Sequence, residues 1–148
     1  MGATSDYASD LSRQIAANNP AGALLSVAKA IYSFGTDGGA VGLITPKLTA
    51  SLPKNAVIVA GTVNSTTAVT SAGSATLAVG TSAGSSATAL LAATAKATLS
   101  ANALVNAVPV FATPVKLSAA GLITVTVGTA ALTAGVVEIT LFYFVANS

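Results

Sequence analysis

Residues 121–145 read GLITVTVGTAALTAGVVEITLFYFV. Within them Ile123, Val125 and Val127 alternate with Thr124 and Thr126. Successive side chains of a strand point to opposite faces, so this spacing predicts a strand with its apolar residues facing in and its threonines facing out. Gly135 reads as the close of a turn, and Val136–Val145 as the longest strand of the chain. On that strand Glu138 shares a face with Val136, Thr140, Phe142 and Phe144. The rings of Phe142, Tyr143 and Phe144 fall on both faces. One face must be core; the other meets a second sheet or a subunit interface.

Working back from this pair, the same style of segment recurs. Val105–Val110 and Val115–Leu117 are short and broken by Pro109 and Pro114, which suits sheet edges or corners because proline cannot donate to a ladder. Leu90 and Leu91 point to the core whether Ala89–Ala95 is a strand or a helical turn. Ala75, Leu77 and Val79 share one face, with Thr76 on the other. Ala56–Val63 reads as a buried strand after a turn at Leu52-Pro53-Lys54-Asn55. Ala28–Phe34 admits strand or helix, but Ile31, Tyr32 and Phe34 favour strand. The Asp37, Gly38, Gly39 run that follows predicts a hairpin turn, returning along Ala40–Thr45. Many short strands separated by Gly or Pro turns predict an all-β fold: a jelly-roll-like β-sandwich or a small barrel.

The N-terminal residues differ. Three of the four acids, Asp6, Asp10 and Asp37, lie in the first 37 residues. This divides the chain into a short N-terminal helical or extended arm, residues 1–24, and a body, residues 25–148. Ser5 can cap a helix, and Tyr7, Leu11 and Ile15 recur every four residues as one apolar stripe until Asn18-Asn19-Pro20 ends it. Such a short helix is marginal alone and needs something to pack against. The stripe packs on its own body or docks on a neighbouring protein, with Asp10 and Arg13 as rim contacts. Tyr7, Leu11, Arg13 and Ile15 are therefore the candidate partner- or subunit-contact residues.

Composition removes most chemistry. The chain has no His and no Cys, so the commonest general base, zinc and soft-metal ligands and any disulfide are absent. No cofactor or metal site is expected. A paired-carboxylate mechanism would need Glu138 to find a partner in Asp37 or the arm. Glu138 reads instead as an exposed strand residue or half of a local ion pair. The clusters Ser65-Thr66-Thr67 and Ser85-Ser86 lack a base and read as loop hydroxyls satisfying backbone groups. The chain is not expected to be an enzyme.

Partners are bounded the same way. The six basic residues, Arg13, Lys29, Lys47, Lys54, Lys96 and Lys116, are scattered, so no stripe tracks a phosphate backbone and nucleic-acid binding is not expected. Mean hydropathy is +0.78, yet no run supplies the ~20 apolar residues of a membrane helix. Seven aromatics are too few for the two girdles of a membrane barrel, and the polar opening residues do not resemble a signal peptide. Charged residues are 7% of the chain, against roughly 25% in an ordinary globular protein. A surface so poor in charge is kept wet by hydroxyls or hidden against partners.

One resemblance gives these features a setting. AKAIYSFGTDGGAVGLIT from Ala28, LPKNAVIVAGTVNSTTAVTSAGSATLAVGT up to Thr81, and the downstream LLAATAKATLSA resemble small structural proteins of tailed bacteriophages, of the capsid decoration or cement kind. The resemblance covers most of the body and carries no catalytic signature. It implies a jelly-roll-like fold and a homotrimer on the outer surface of the virion capsid. The major capsid protein would be its partner, and it would be made in the host cytoplasm. The alternative expectation is a head-fibre or tail-associated protein that binds host glycans.

Overall fold

The computed structural model describes residues 25–83, 88–107 and 114–146. They form eleven strands: β1 (Ser26–Ser33), β2 (Gly42–Ile44), β3 (Leu48–Thr49), β4 (Ser51–Leu52), β5 (Ala56–Thr70), β6 (Thr76–Thr81), β7 (Leu91–Ala95), β8 (Ala103–Ala107), β9 (Val115–Lys116), β10 (Gly121–Gly128) and β11 (Ala134–Val145). One helical turn, α1 (Phe34–Asp37), follows β1, and a 3-10 turn spans Lys96–Thr98.

The strands build an all-β sandwich of two antiparallel sheets. The first has the order β3-β1-β11-β5-β8, with β9 also on β5. The second has the order β2-β10-β6-β7, with β4 also on β10. Consecutive strands mostly change sheets, so each sheet is assembled from segments far apart in sequence. The two central strands of the first sheet, β5 and β11, pair from Ala56↔Val145 to Thr70↔Ala134.

The core lies between the sheets. From β11 it takes Val137, Ile139 and Leu141, and from β10 Ile123, Val125 and Val127. Ala28, Ala30, Tyr32, Val63, Leu77 and Val79 fill the space between. The alternation read from these strands therefore assigns the inward residues correctly. At about 25 cal/mol per Å², complete burial of each Val, Leu or Ile side chain stabilises the fold by roughly 1.5–3 kcal/mol. The turn at residues 53–55 is present, closed by Ala56 N–H donating to Pro53 O (3.2 Å), with Asn55 at φ +64°. Strands β8 and β9 run along the outer edge of β5, as the flanking prolines suggested. Pro114 is described; Pro109 lies outside the described residues.

Three expectations change. The longest strand is β5, with 15 residues against 12 for β11. Its second half, Asn64–Thr67, is strand rather than loop, because its hydroxyls serve backbone groups within the sandwich. Ser65 Oγ donates to Leu99 O and Thr67 O, both at 3.0 Å, and Ser65 is fully buried. The pair Ser85-Ser86 lies outside the described residues.

Second, Asp37, Gly38 and Gly39 do not form a β-hairpin. Strand β1 pairs with β11 and β3, whereas β2 pairs with β10 in the opposite sheet. The segment turns the chain from one sheet to the other. The physical cause is local and tertiary together. Asp37 Oδ2 accepts the Ser33 N–H (2.9 Å) and Oδ1 the Lys47 N–H (3.0 Å), which wraps the chain into α1 and ties it to the approach of β3. Gly38 takes φ +80°, and its carbonyl accepts the Tyr32 hydroxyl at 2.7 Å. A Cβ on Gly39 would sit 2.7 Å from Leu132 O and 2.8 Å from the Phe34 ring, so only glycine fits.

Third, the threonine face of β10 is not open. Thr124 is fully buried and Thr126 half-buried, and neither hydroxyl has a hydrogen-bond partner.

Candidate interaction surface

The outer face of the six-stranded sheet carries four of the seven large apolar side chains exposed among the described residues: Val27, Ile31, Leu48 and Leu104. Registers fix its rows. Leu48 lies beside Ile31, Ile31 beside Glu138, Glu138 beside Asn64, and Asn64 beside Leu104. The next row runs Lys29, Thr140, Thr62, Asn106, and a third runs Val27, Phe142, Ala60. These residues share a face because side chains alternate across each strand. Five strands about 4.8 Å apart and eight residues at about 3.4 Å give a face of roughly 500 Å². That is about one side of a small specific interface, which totals ~1,000 Å².

Its chemistry is apolar at the margins and polar in the middle. Leu48 is 66% exposed, Leu104 65% and Val27 53%, with Ile31 less so. The centre holds Thr62, Asn64, Thr140 and one ion pair, Lys29 Nζ to Glu138 Oε1 at 2.8 Å. Glu138 is thus half of a local ion pair, as its strand setting suggested. With the lysine side chain 60% exposed, the pair contributes about 0–1 kcal/mol. At the margin where β3 meets β1, Lys29, Ala30, Ile31, Lys47, Leu48 and Thr49 line a shallow, open depression of about 360 Å³.

Among the described residues no group of three or more His, Cys, Asp or Glu is assembled. The two described acids are engaged in different places, Asp37 with backbone amides at the corner and Glu138 with Lys29 on the sheet. Burial first, and the charge of Asp37 second, raise the Tyr32 phenol above its ordinary value. Its hydroxyl is committed to Gly38 O, so it acts as a strut. No helix among the described residues is long and apolar enough to cross a membrane.

Tyr7, Leu11, Arg13 and Ile15 lie outside the described residues. Asp37, Gly38 and Gly39 are placed, but they shape the corner. Sequence reading placed Glu138, Thr140 and Phe142 on one face of the last strand and left open a second sheet or a subunit interface there; it did not find the neighbours Val27, Leu48 and Leu104.

No protein-family model matches the chain, and no curated protein sequence matches it. Solved structures do. A chain of the Cyanophage Pam1 capsid asymmetric unit matches with a TM-score of 0.60 and 16% identity, covering 83% of this chain and 86% of that one. A chain of the acid-stable capsid of Helicobacter pylori bacteriophage KHP30 gives 0.58 and 13%, covering 83% and 89%. A chain of the Ralstonia phage GP4 capsid gives 0.57 and 22%, covering 83% and 86%. The protein therefore shares its sandwich fold with chains from three bacteriophage capsids.

Proposed function

We propose that the chain is a structural virion protein of a tailed bacteriophage, a decoration or cement protein that binds the outside of the head and stabilises it. The carrying observation is the fold shared with chains of three phage capsids over most of both partners. Those chains are about as long as this one, so the match spans whole components. In this reading the body sits on the capsid surface as a homotrimer, against the major capsid protein. Tyr7, Leu11, Arg13 and Ile15 of the N-terminal arm supply contacts to the shell or to a neighbouring copy.

The charge deficit and the outer face support the same reading. A surface with little charge and several exposed aliphatics gains by being covered. Several weak contacts, multiplied by a trimer engaging several shell subunits, give firm attachment through effective concentration. Glycan binding finds less support. Among the described residues the most exposed large apolar side chains are all aliphatic, and the rings of Phe142 and Phe144 are only part-exposed, which gives sugar rings little to stack on.

The test is reconstitution. Purified protein added to shells that lack it is expected to rebind and to raise their melting temperature. Absence of both effects overturns the proposal.

A further inference from the structure

The Asp37-Gly38 step at the corner between the sheets has a chemistry of its own. An aspartate followed by glycine is especially open to cyclisation, because no Cβ on the glycine shields its amide nitrogen. In that reaction Gly38 N bonds to Asp37 Cγ, and the carboxyl OH leaves with the amide proton as water. Water then reopens the succinimide ring at either carbonyl. Opening at the α-carbonyl leaves isoaspartate, with the main chain routed through the side-chain carbon and the overall composition unchanged.

The corner engages each reactant elsewhere. The Gly38 N–H donates to Phe34 O at 3.0 Å. Both Asp37 oxygens are taken, Oδ2 by the Ser33 N–H at 2.9 Å and Oδ1 by the Lys47 N–H at 3.0 Å. The next two carbonyls are held as well: Gly38 O accepts the Tyr32 hydroxyl, and Gly39 O the Leu132 N–H at 2.8 Å. Nitrogen and carboxyl meet only if several of these bonds break together. Yet the corner is thin. Helix α1 has four residues, none of them buried, and β3 has two. Asp37 is half-buried and Gly38 exposed, so the water that reopens the ring is at hand. Segments with few buried contacts open locally, ahead of the whole fold.

We propose that Asp37-Gly38 is a latent isomerisation site, held shut in the folded chain by the hydrogen bonds of the corner and reached by local opening. Isoaspartate carries its free carboxylate directly on Cα, one methylene short of the native reach. It cannot accept the Ser33 and Lys47 N–H groups together. The product therefore frees the approach of β3, and with it Leu48, from α1. This site is independent of the capsid reading.

The test is timed ageing of the full-length protein at mildly alkaline pH, with and without fully denaturing guanidinium. Isoaspartate at position 37 is quantified by peptide mapping with electron-transfer fragmentation, since mass alone does not change. It is expected to accumulate in the denatured chain and many-fold more slowly in the folded one. Tyr32→Phe removes one bond from the corner. It should raise the folded rate about fivefold, the factor that one ordinary hydrogen bond confers on an opening equilibrium, and leave the denatured rate unchanged. Ageing the unmodified sequence in guanidinium below the global transition should also speed isomerisation before the sandwich unfolds, a readout that needs no variant to fold. Equal rates in folded and denatured chains overturn the proposal, as does a denatured chain that forms no isoaspartate at position 37. So does a folded rate that Tyr32→Phe leaves unchanged, or one that rises only with global unfolding.

Discussion

Strands β10 and β11 carry the same kind of alternating text and end in opposite situations. Both send apolar residues into the core without exposure: Ile123 and Val125 from β10, Val137, Ile139 and Leu141 from β11. Both place threonine on the other face. On β11 that face is partly open, with Thr140 half-buried beside Lys29, and Glu138 ion-paired to it. On β10 it is closed, with Thr124 fully buried and its hydroxyl unpartnered. The two sheets are therefore not equivalent. At its centre the second sheet buries a threonine on the face away from the core, whereas the first sheet keeps Thr140 and Glu138 part-exposed there.

The largest effect that tests this contrast comes from the inner side of β11. Leu141→Ala should destabilise by about 2–5 kcal/mol, from lost burial and the cavity left behind. Thr140→Ala, one residue away on the outer face, should change stability by less than about 1 kcal/mol. Denaturant unfolding of the two variants decides. Equal losses would show that the outer face is as closed as that of β10.

A smaller effect separates the two threonine faces. Thr124→Val replaces an unpaired buried hydroxyl by a methyl of similar shape, so it should stabilise by about 1 kcal/mol. Thr140→Val should leave stability near neutral. A loss at Thr124→Val would mean that the hydroxyl has a partner after all.

The corner yields a pH-dependent effect of similar size. The folded Tyr32 phenol titrates above its ordinary value of 10.0. Between that value and the raised one the unfolded chain has already lost the proton while the folded chain keeps it. Stability from this group is therefore complete below pH 10 and falls as pH rises through that window. Tyr32→Phe should cost about 1 kcal/mol at neutral pH, from the lost bond to Gly38 O, and should flatten the alkaline decline. Thermal melts from pH 8 to 11 compare the two. An unchanged slope in Tyr32→Phe would assign the decline to other groups.

The smallest effect lies on the open face. Glu138→Gln should cost no more than about 1 kcal/mol, and the cost should shrink in high salt, as for any exposed pair. A large, salt-independent loss would show that the face is desolvated in the protein's own assembly.

Much of the fold is legible in local text, for a reason visible in particular residues. Period-two spacing records which side chains share a face, so the inward sets Ile123, Val125, Val127 and Ala75, Leu77, Val79 follow from spacing alone. The bland reading of Glu138 also follows, since a lone acid on a half-covered strand is stable only with a cation or water nearby. The Asp37-Gly38-Gly39 hairpin does not follow. Turn residues encode a local reversal, whereas the choice of β10 over β1 as neighbour for β2 depends on contacts some 80 residues away. The length of β5 was hidden for a related reason. Asn64–Thr67 looks like loop until Leu99 supplies the carbonyl that Ser65 needs.

The sequence by itself therefore determined the fold class, the inward faces of the strands and the lack of His and Cys side chains, because these depend on residue type and spacing. Only the tertiary structure decided which face of each sheet is covered. The tertiary structure sets burial through contacts between residues far apart in sequence, which alternation in a single strand cannot record. It closes over Thr124 and leaves Val27, Ile31, Leu48 and Leu104 in the open.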